Sequence, residues 1–371
     1  MLHAALLFSV LPVLSVPAPP PPVGTIFGDQ RPSQRQILSW NPGEVRCDGV
    51  AVGGTALRPA VEIAFSDPQW TKAVSYRFAI DAAGRTRSID RGTNEFFPFG
   101  QDIGPALAAS RFAAGAKREN CTISYTPKFE PLASAPIADL VAYSIFPAGQ
   151  KLPQEGWDRI GTVGNCRDKP RPAALLSGHP EFLKLKASPG ARDWSLVGYD
   201  TDASGRPINV RIAHGTGNDE LDAAAIEAIR VSRFTGGART GCLYPYWRSA
   251  GKLAAPEKPA EEQMRPANAV CPAKIDWAVR PTTRYPPAYR KRAVEGWAIV
   301  AFDTAPWGEV GNVKVLDAQP SAEFGQQAMG IVRSGRVAPS AQGASGCIET
   351  VKFMMPADDQ PTDEDDAPAT D

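Results

Sequence analysis

Histidine is the scarcest chemistry-bearing residue in this chain. Only His3, His179 and His214 occur in 371 residues. None neighbours a serine, cysteine or carboxylate in a nucleophile–base arrangement, so a non-catalytic protein is expected. His214, in the stretch Ala213-His214-Gly215-Thr216-Gly217-Asn218-Asp219, reads as a solvated residue of a loop entering a helix. Gly215-Thr216-Gly217 lacks the further glycines and lysine of a phosphate loop. No CxxC or clustered Cys/His spacing exists to hold zinc, and no cofactor is expected. Charge of one sign is also missing. Forty basic and forty acidic residues cancel, which removes the electrostatic footprint of a nucleic-acid binder. Long apolar runs are absent from the body of the chain, which excludes multi-pass membrane insertion. Hydrophobic residues at 43% and charged residues at 22% fit a soluble globular protein.

What the chain has in excess is proline, 36 residues, gathered where it leaves strands and helices intact and so marks linkers. Residues 1–18 form a short, proline-interrupted apolar segment that reads as an export signal. No Lys or Arg precedes it and Pro19 follows the small-residue site, so an uncleaved membrane anchor stays open. Residues 19–30 read as a stiff proline-rich spacer. Residues 357–371 contain seven acidic and no basic residues, and disorder is expected there.

The six cysteines organise the rest. They stand at 47, 121, 166, 242, 271 and 347, and consecutive pairs are separated by 74, 76 and 76 residues. Within each frame an alternating strand, a turn with glycine, a second strand, an Ala-rich helix and a short closing strand recur in one order. Gly84, Gly205 and Gly308 precede Phe112, Phe234 and Val337 by 28, 29 and 29 residues. Pairing each opening cysteine with its own closing one, Cys47–Cys121, Cys166–Cys242 and Cys271–Cys347, is the simplest of 15 connectivities. Each such loop would stabilise by about 4–5 kcal/mol in the chain-entropy model. Three pairs of reduced thiols remain the alternative. Three tandem α+β units follow, over 31–135, 150–250 and 268–356, each a small antiparallel sheet packed with one or two helices and framed by one disulfide.

The third unit carries Arg284-Tyr285-Pro286-Pro287-Ala288-Tyr289, then Glu295-Gly296-Trp297, then Gln319-Pro320-Ser321-Ala322-Glu323-Phe324, and ends on Ser345-Gly346-Cys347-Ile348-Glu349-Thr350-Val351-Lys352-Phe353. In that order and spacing, residues 281–355 resemble the TonB C-terminal domain family. The first two units look like diverged relatives lacking the Tyr-Pro opening. The resemblance implies a module in the periplasm of a Gram-negative bacterium, inner-membrane anchored if residues 1–18 are retained. In that family the domain adds a short strand of an outer-membrane receptor to its sheet edge, a mode dominated by main-chain pairing. The protein or peptide contacts it implies are Gln319, Pro320 and the terminal strand Ile348, Glu349, Thr350, Val351, Lys352 and Phe353. Alternation also assigns Val351 and Phe353 to the core. A structural envelope protein without a free edge is the competing reading. Energy transduction is disfavoured by the uncharged start and short spacer. Arg280, Arg284, Arg290, Lys291 and Arg292 read as a basic patch on a solvated face.

Overall fold

Alternating apolar residues at Val74, Tyr76, Phe78 and Ile80 bury one face of a strand, whereas the strands over 193–201 and 296–304 are buried on both faces. The computed structural model describes residues 35–65, 72–93 and 99–356. The expected signal segment, proline spacer and acidic tail lie outside these. Among the described residues no helix is long and apolar enough to cross a membrane.

The chain opens with β1 (Arg35–Pro42), β2 (Arg46–Cys47), β3 (Val50–Ala51), β4 (Gly54–Thr55) and β5 (Glu62–Phe65). There follow β6 (Val74–Ile80), β7 (Thr86–Asp90), α1 (Ile103–Ala109), β8 (Arg111–Phe112) and β9 (Arg118–Pro131). Helices α2 (Ile137–Ile145) and α3 (Gln154–Gly161) lead to β10 (Ala174–Leu176), β11 (Asp193–Thr201), β12 (Pro207–Gly215), α4 (Asp219–Val231), β13 (Arg233–Phe234) and β14 (Arg239–Arg248). The last part comprises α5 (Glu261–Met264), β15 (Trp277–Val279), α6 (Pro287–Lys291), β16 (Gly296–Thr304), β17 (Val310–Gln319), α7 (Ala322–Arg333), β18 (Arg336–Val337) and β19 (Ala344–Phe353).

The result is a mixed α/β protein of several small antiparallel sheets and three disulfides. The bonds join Cys47 to Cys121, Cys166 to Cys242 and Cys271 to Cys347. Sheets β12-β11-β14 and β17-β16-β19 have the same order. The first cysteine frame departs from the expected small sheet. Its β7-β6-β9 core continues across β9 into β1, β2, β3 and β5, giving seven strands. His214 lies within β12 opposite Leu196, so it is a strand residue and not the loop residue expected.

The glycine-to-helix-end spacing has a direct cause. Gly84, Gly205 and Gly308 all have φ between 77° and 88°, and their carbonyls accept the N–H of Phe112, Phe234 and Val337 at 2.9, 3.0 and 2.9 Å. A Cβ on these glycines would sit 2.0, 1.8 and 1.9 Å from the same residues' carbonyl oxygens. Each hairpin turn is thus clamped against the chain leaving the helix. Gly308→Ala is expected to cost about 2–3 kcal/mol, from the left-handed backbone and this main-chain clash. Urea unfolding of the full chain would show it as a lower midpoint at unchanged slope.

Two left-handed bulge residues also recur in register. Ser88, Asn209 and Asn312 lie four residues after the turn glycines, and Asn120, Gly241 and Gly346 just precede the closing cysteines. In the later two frames one aspartate holds both bulges. Asp303 accepts the Gly346 N–H at 2.8 Å and the Asn312 amide at 2.8 Å. Asp200 does the same for Gly241 and Asn209.

One core draws residues from the first and third frames, with Tyr76, Phe78 and Ile123 beside Phe302, Phe324 and Phe353. A second core joins Ile37 of β1 and Leu140 of α2 to Trp194 and Leu196 of β11. The stretch between the first two expected units is therefore helical and packed.

Candidate functional site

The terminal strand β19 is built by alternation. Cys347, Val351 and Phe353 face α7 and join the main core, while Ile348 packs on the opposite face with Trp297 and Ile299. Val351 is 6% exposed and Phe353 fully buried, so both serve the core, as their period required. Phe353 meets Phe324 and Tyr285 edge-on at 5.1 and 5.8 Å. Thr350 and Lys352 share the face of Ile348. The Thr350 hydroxyl donates to Glu261 at 2.7 Å and holds that carboxylate below its ordinary pKa. Glu349 is half-buried on the α7 side, beside Trp277 and Arg280. Burial raises its pKa and the two neighbours oppose the rise.

Strand β19 pairs with β16 from Gly296↔Phe353 to Thr304↔Ala344. Its other side is a sheet edge. Among the described residues the one backbone pairing there is Val270 with Ser345, through reciprocal bonds of 2.9 Å. From Ile348 to Phe353 no strand among the described residues pairs with the outer side.

The corresponding edges differ. In the first frame β9 is covered from Cys121 to Pro131 by β2 and β1. In the second frame β14 is an edge, but it holds Pro245 three residues after Cys242, where no N–H can be offered. The equivalent residues are Ser124, whose carbonyl accepts Gly43 N–H at 2.8 Å, and Thr350. This parity places the main-chain groups of Ile348, Thr350 and Lys352 outward.

Gln319 and Pro320 are engaged elsewhere. The Gln319 oxygen accepts Ser88 N–H at 2.9 Å and its amide donates to Ser88 Oγ at 2.9 Å. The Pro320 carbonyl accepts Ile89 N–H at 2.8 Å. Both residues are thus taken up by β7 of the first sheet and lie apart from the β19 edge. Arg292 also leaves its expected solvated patch: it is 5% exposed and paired with Asp102.

A three-stranded antiparallel sheet backed by α6 and α7, with its terminal strand open along one side, defines a small α+β module with an accessible sheet edge. Residues 281–355 match the family of Gram-negative bacterial TonB protein C-terminal domains. Protein TonB of Klebsiella pneumoniae is 32% identical over 80 residues, covering 20% of this chain and 32% of that protein. The chain spans about a third of the length of this curated relative.

Proposed function

We propose that this chain is a periplasmic, non-catalytic binding protein of the TonB type that captures a protein or peptide partner by adding its strand to β19. The partner class suggested by the resemblance is an outer-membrane receptor in envelope transport. The observation that carries the reading is the open outer side of Ile348–Phe353. The corresponding edge of the first sheet already holds an added strand, β1. An unpaired edge offers main-chain donors and acceptors that an extended chain satisfies with modest side-chain selectivity. In this reading the three cysteine frames are tandem modules over 31–135, 150–250 and 268–356. The first two are closed by β1 and by Pro245, and the third does the binding. Residues 1–18 direct export or anchor the protein at the inner membrane.

The test is a selection of phage-displayed dodecapeptides on the full chain, followed by amide exchange of the complex. Bound peptides are expected to slow exchange at Ile348, Thr350 and Lys352. Lys352→Pro removes an outward donor without touching the β16 ladder, and should weaken these peptides about tenfold, the loss of one or two net main-chain bonds. Peptides that leave those amides unprotected, or that bind the proline variant equally well, would refute strand addition.

A further inference from the structure

The segment before the third frame does more than connect. It crosses the face of the last sheet opposite α7, where Trp297 Nε1 donates to the Pro256 carbonyl at 2.8 Å and Met264 packs on the cluster of Trp297, Ile299 and Ile348. It then rounds the edge of β19. Ala269 passes so close to Gly346 that a Cβ there would lie 3.0 Å away. Val270 forms its two-bond bridge to Ser345, and Cys271 closes onto Cys347. Beyond the disulfide the chain lies on the α7 side, where Trp277 stacks on Phe302 at 5.7 Å. The segment therefore clasps one end of the edge, and among the described residues no strand pairs with the other end.

We infer that this disulfide-locked clasp is a register stop that restricts the third module to an antiparallel peptide strand of about six residues, ending at Ile348. The inference rests on the strand-addition reading. Direction comes from the protein itself, because the strand seated on the first sheet's corresponding edge, β1, runs antiparallel to β9. Length comes from the open stretch Ile348–Phe353, whose outward groups at 348, 350 and 352 are spaced two residues apart as a ladder requires. An antiparallel peptide meets Val270 with its C-terminal end, so that end is where pairing stops. Its N-terminal end runs toward Phe353, where no strand among the described residues pairs with the edge. The second frame repeats the device: Asn165 exchanges bonds with Thr240 through its backbone N–H and side-chain carbonyl, at 3.0 and 2.8 Å, beside Cys166–Cys242. There Pro245 closes the rest of the edge.

The selected peptides supply the probe. Trimmed to the six residues that pair with Ile348–Phe353, they should bind the full chain within about twofold of the parent dodecapeptide when the residues removed lie on the C-terminal side. In the Cys271→Ser/Cys347→Ser chain, and separately in Val270→Pro, restoring those C-terminal residues should tighten binding about fivefold, the worth of a net main-chain bond. A comparable gain from C-terminal residues in the unaltered chain would overturn the stop, and that measurement needs no variant to fold. So would equal plateau lengths with and without the clasp. Peptides that protect the β19 amides but pair in parallel would retain strand addition and refute the inference. Absence of any edge-binding peptide would refute both.

Discussion

Replacing Arg292 by alanine is expected to destabilise the protein by about 3–5 kcal/mol, the cost of leaving one member of a buried ion pair alone. Arg292 Nε donates to Asp102 Oδ1 at 2.6 Å, and Nη2 reaches the second carboxylate oxygen. The two side chains are 6% and 13% exposed. The remaining guanidinium donors reach the carbonyls of Gly190 at 3.2 Å and Arg58 at 3.4 Å, and Asp102 also takes the Ala60 N–H at 2.6 Å. One arginine therefore ties the third frame to both the first and the second. The fork geometry is specific to guanidinium, so Arg292→Lys should recover only part of the loss. Because the partners lie 190 residues apart, urea titration of the alanine variant followed by fluorescence should also give a broader or split unfolding transition than the parent protein. A change below about 1 kcal/mol would mean the pair is hydrated enough to act as a surface bridge.

The contrast between Arg292 and its neighbours shows where sequence reasoning runs out. Nothing local separates it from Arg290 and Lys291 in the run Arg290-Lys291-Arg292, because its partner is set by how two distant frames dock. Gln319 and Pro320 show the same limit: their motif is recognisable, but their contacts with Ser88 and Ile89 of β7 are set by the docking of another frame. By contrast, the turn glycines, the helix ends and the cysteine pairs were legible, because each is fixed by contacts inside one repeat at constant spacing. The left-handed residues before the closing cysteines, Asn120, Gly241 and Gly346, were not read from the sequence, because their bulge role depends on the cross-strand register. Strand β19 was legible in both its alternation and its place at the end of the motif. Its openness was not, since that depends on where β1 and the clasp segment go. Residue Pro245 was a readable clue that the second edge is closed.

Stability should fall as pH rises from about 5 to 8, and Glu323→Gln should remove much of that fall. Glu323 is the second residue of α7, where its own N–H donates to Ser321 Oγ at 3.3 Å. Its carboxyl is pressed between α1 and α6: a Cβ on Gly104 would lie 2.7 Å from Glu323 Oε1 and 2.8 Å from the Tyr289 hydroxyl. Burial pushes its pKa up to about 7, against the partial relief given by the Tyr289 hydroxyl and the positive charge of Arg91. Tyr76 faces the same carboxyl and is itself raised by burial and by Glu323. Glu62 behaves similarly, raised to about 7 by burial and by the charge of Asp102, although the Gly100 N–H opposes the shift. A carboxyl whose folded pKa lies above its unfolded value of about 4.3 binds more protons when folded. Its stabilising contribution is complete below pH 4 and is lost as pH climbs through 7. Asp102 acts oppositely, because Arg292 holds its pKa down despite burial; its contribution is present at neutral pH and lost in acid. The two trends place the maximum near pH 5. The neutral amide of Glu323→Gln carries no ionisation penalty, so at pH 8 the variant should exceed the parent by about 2 kcal/mol and at pH 4.5 should match or fall below it. Parallel urea midpoints for the two proteins across this range would show Glu323 to be solvated in the native state.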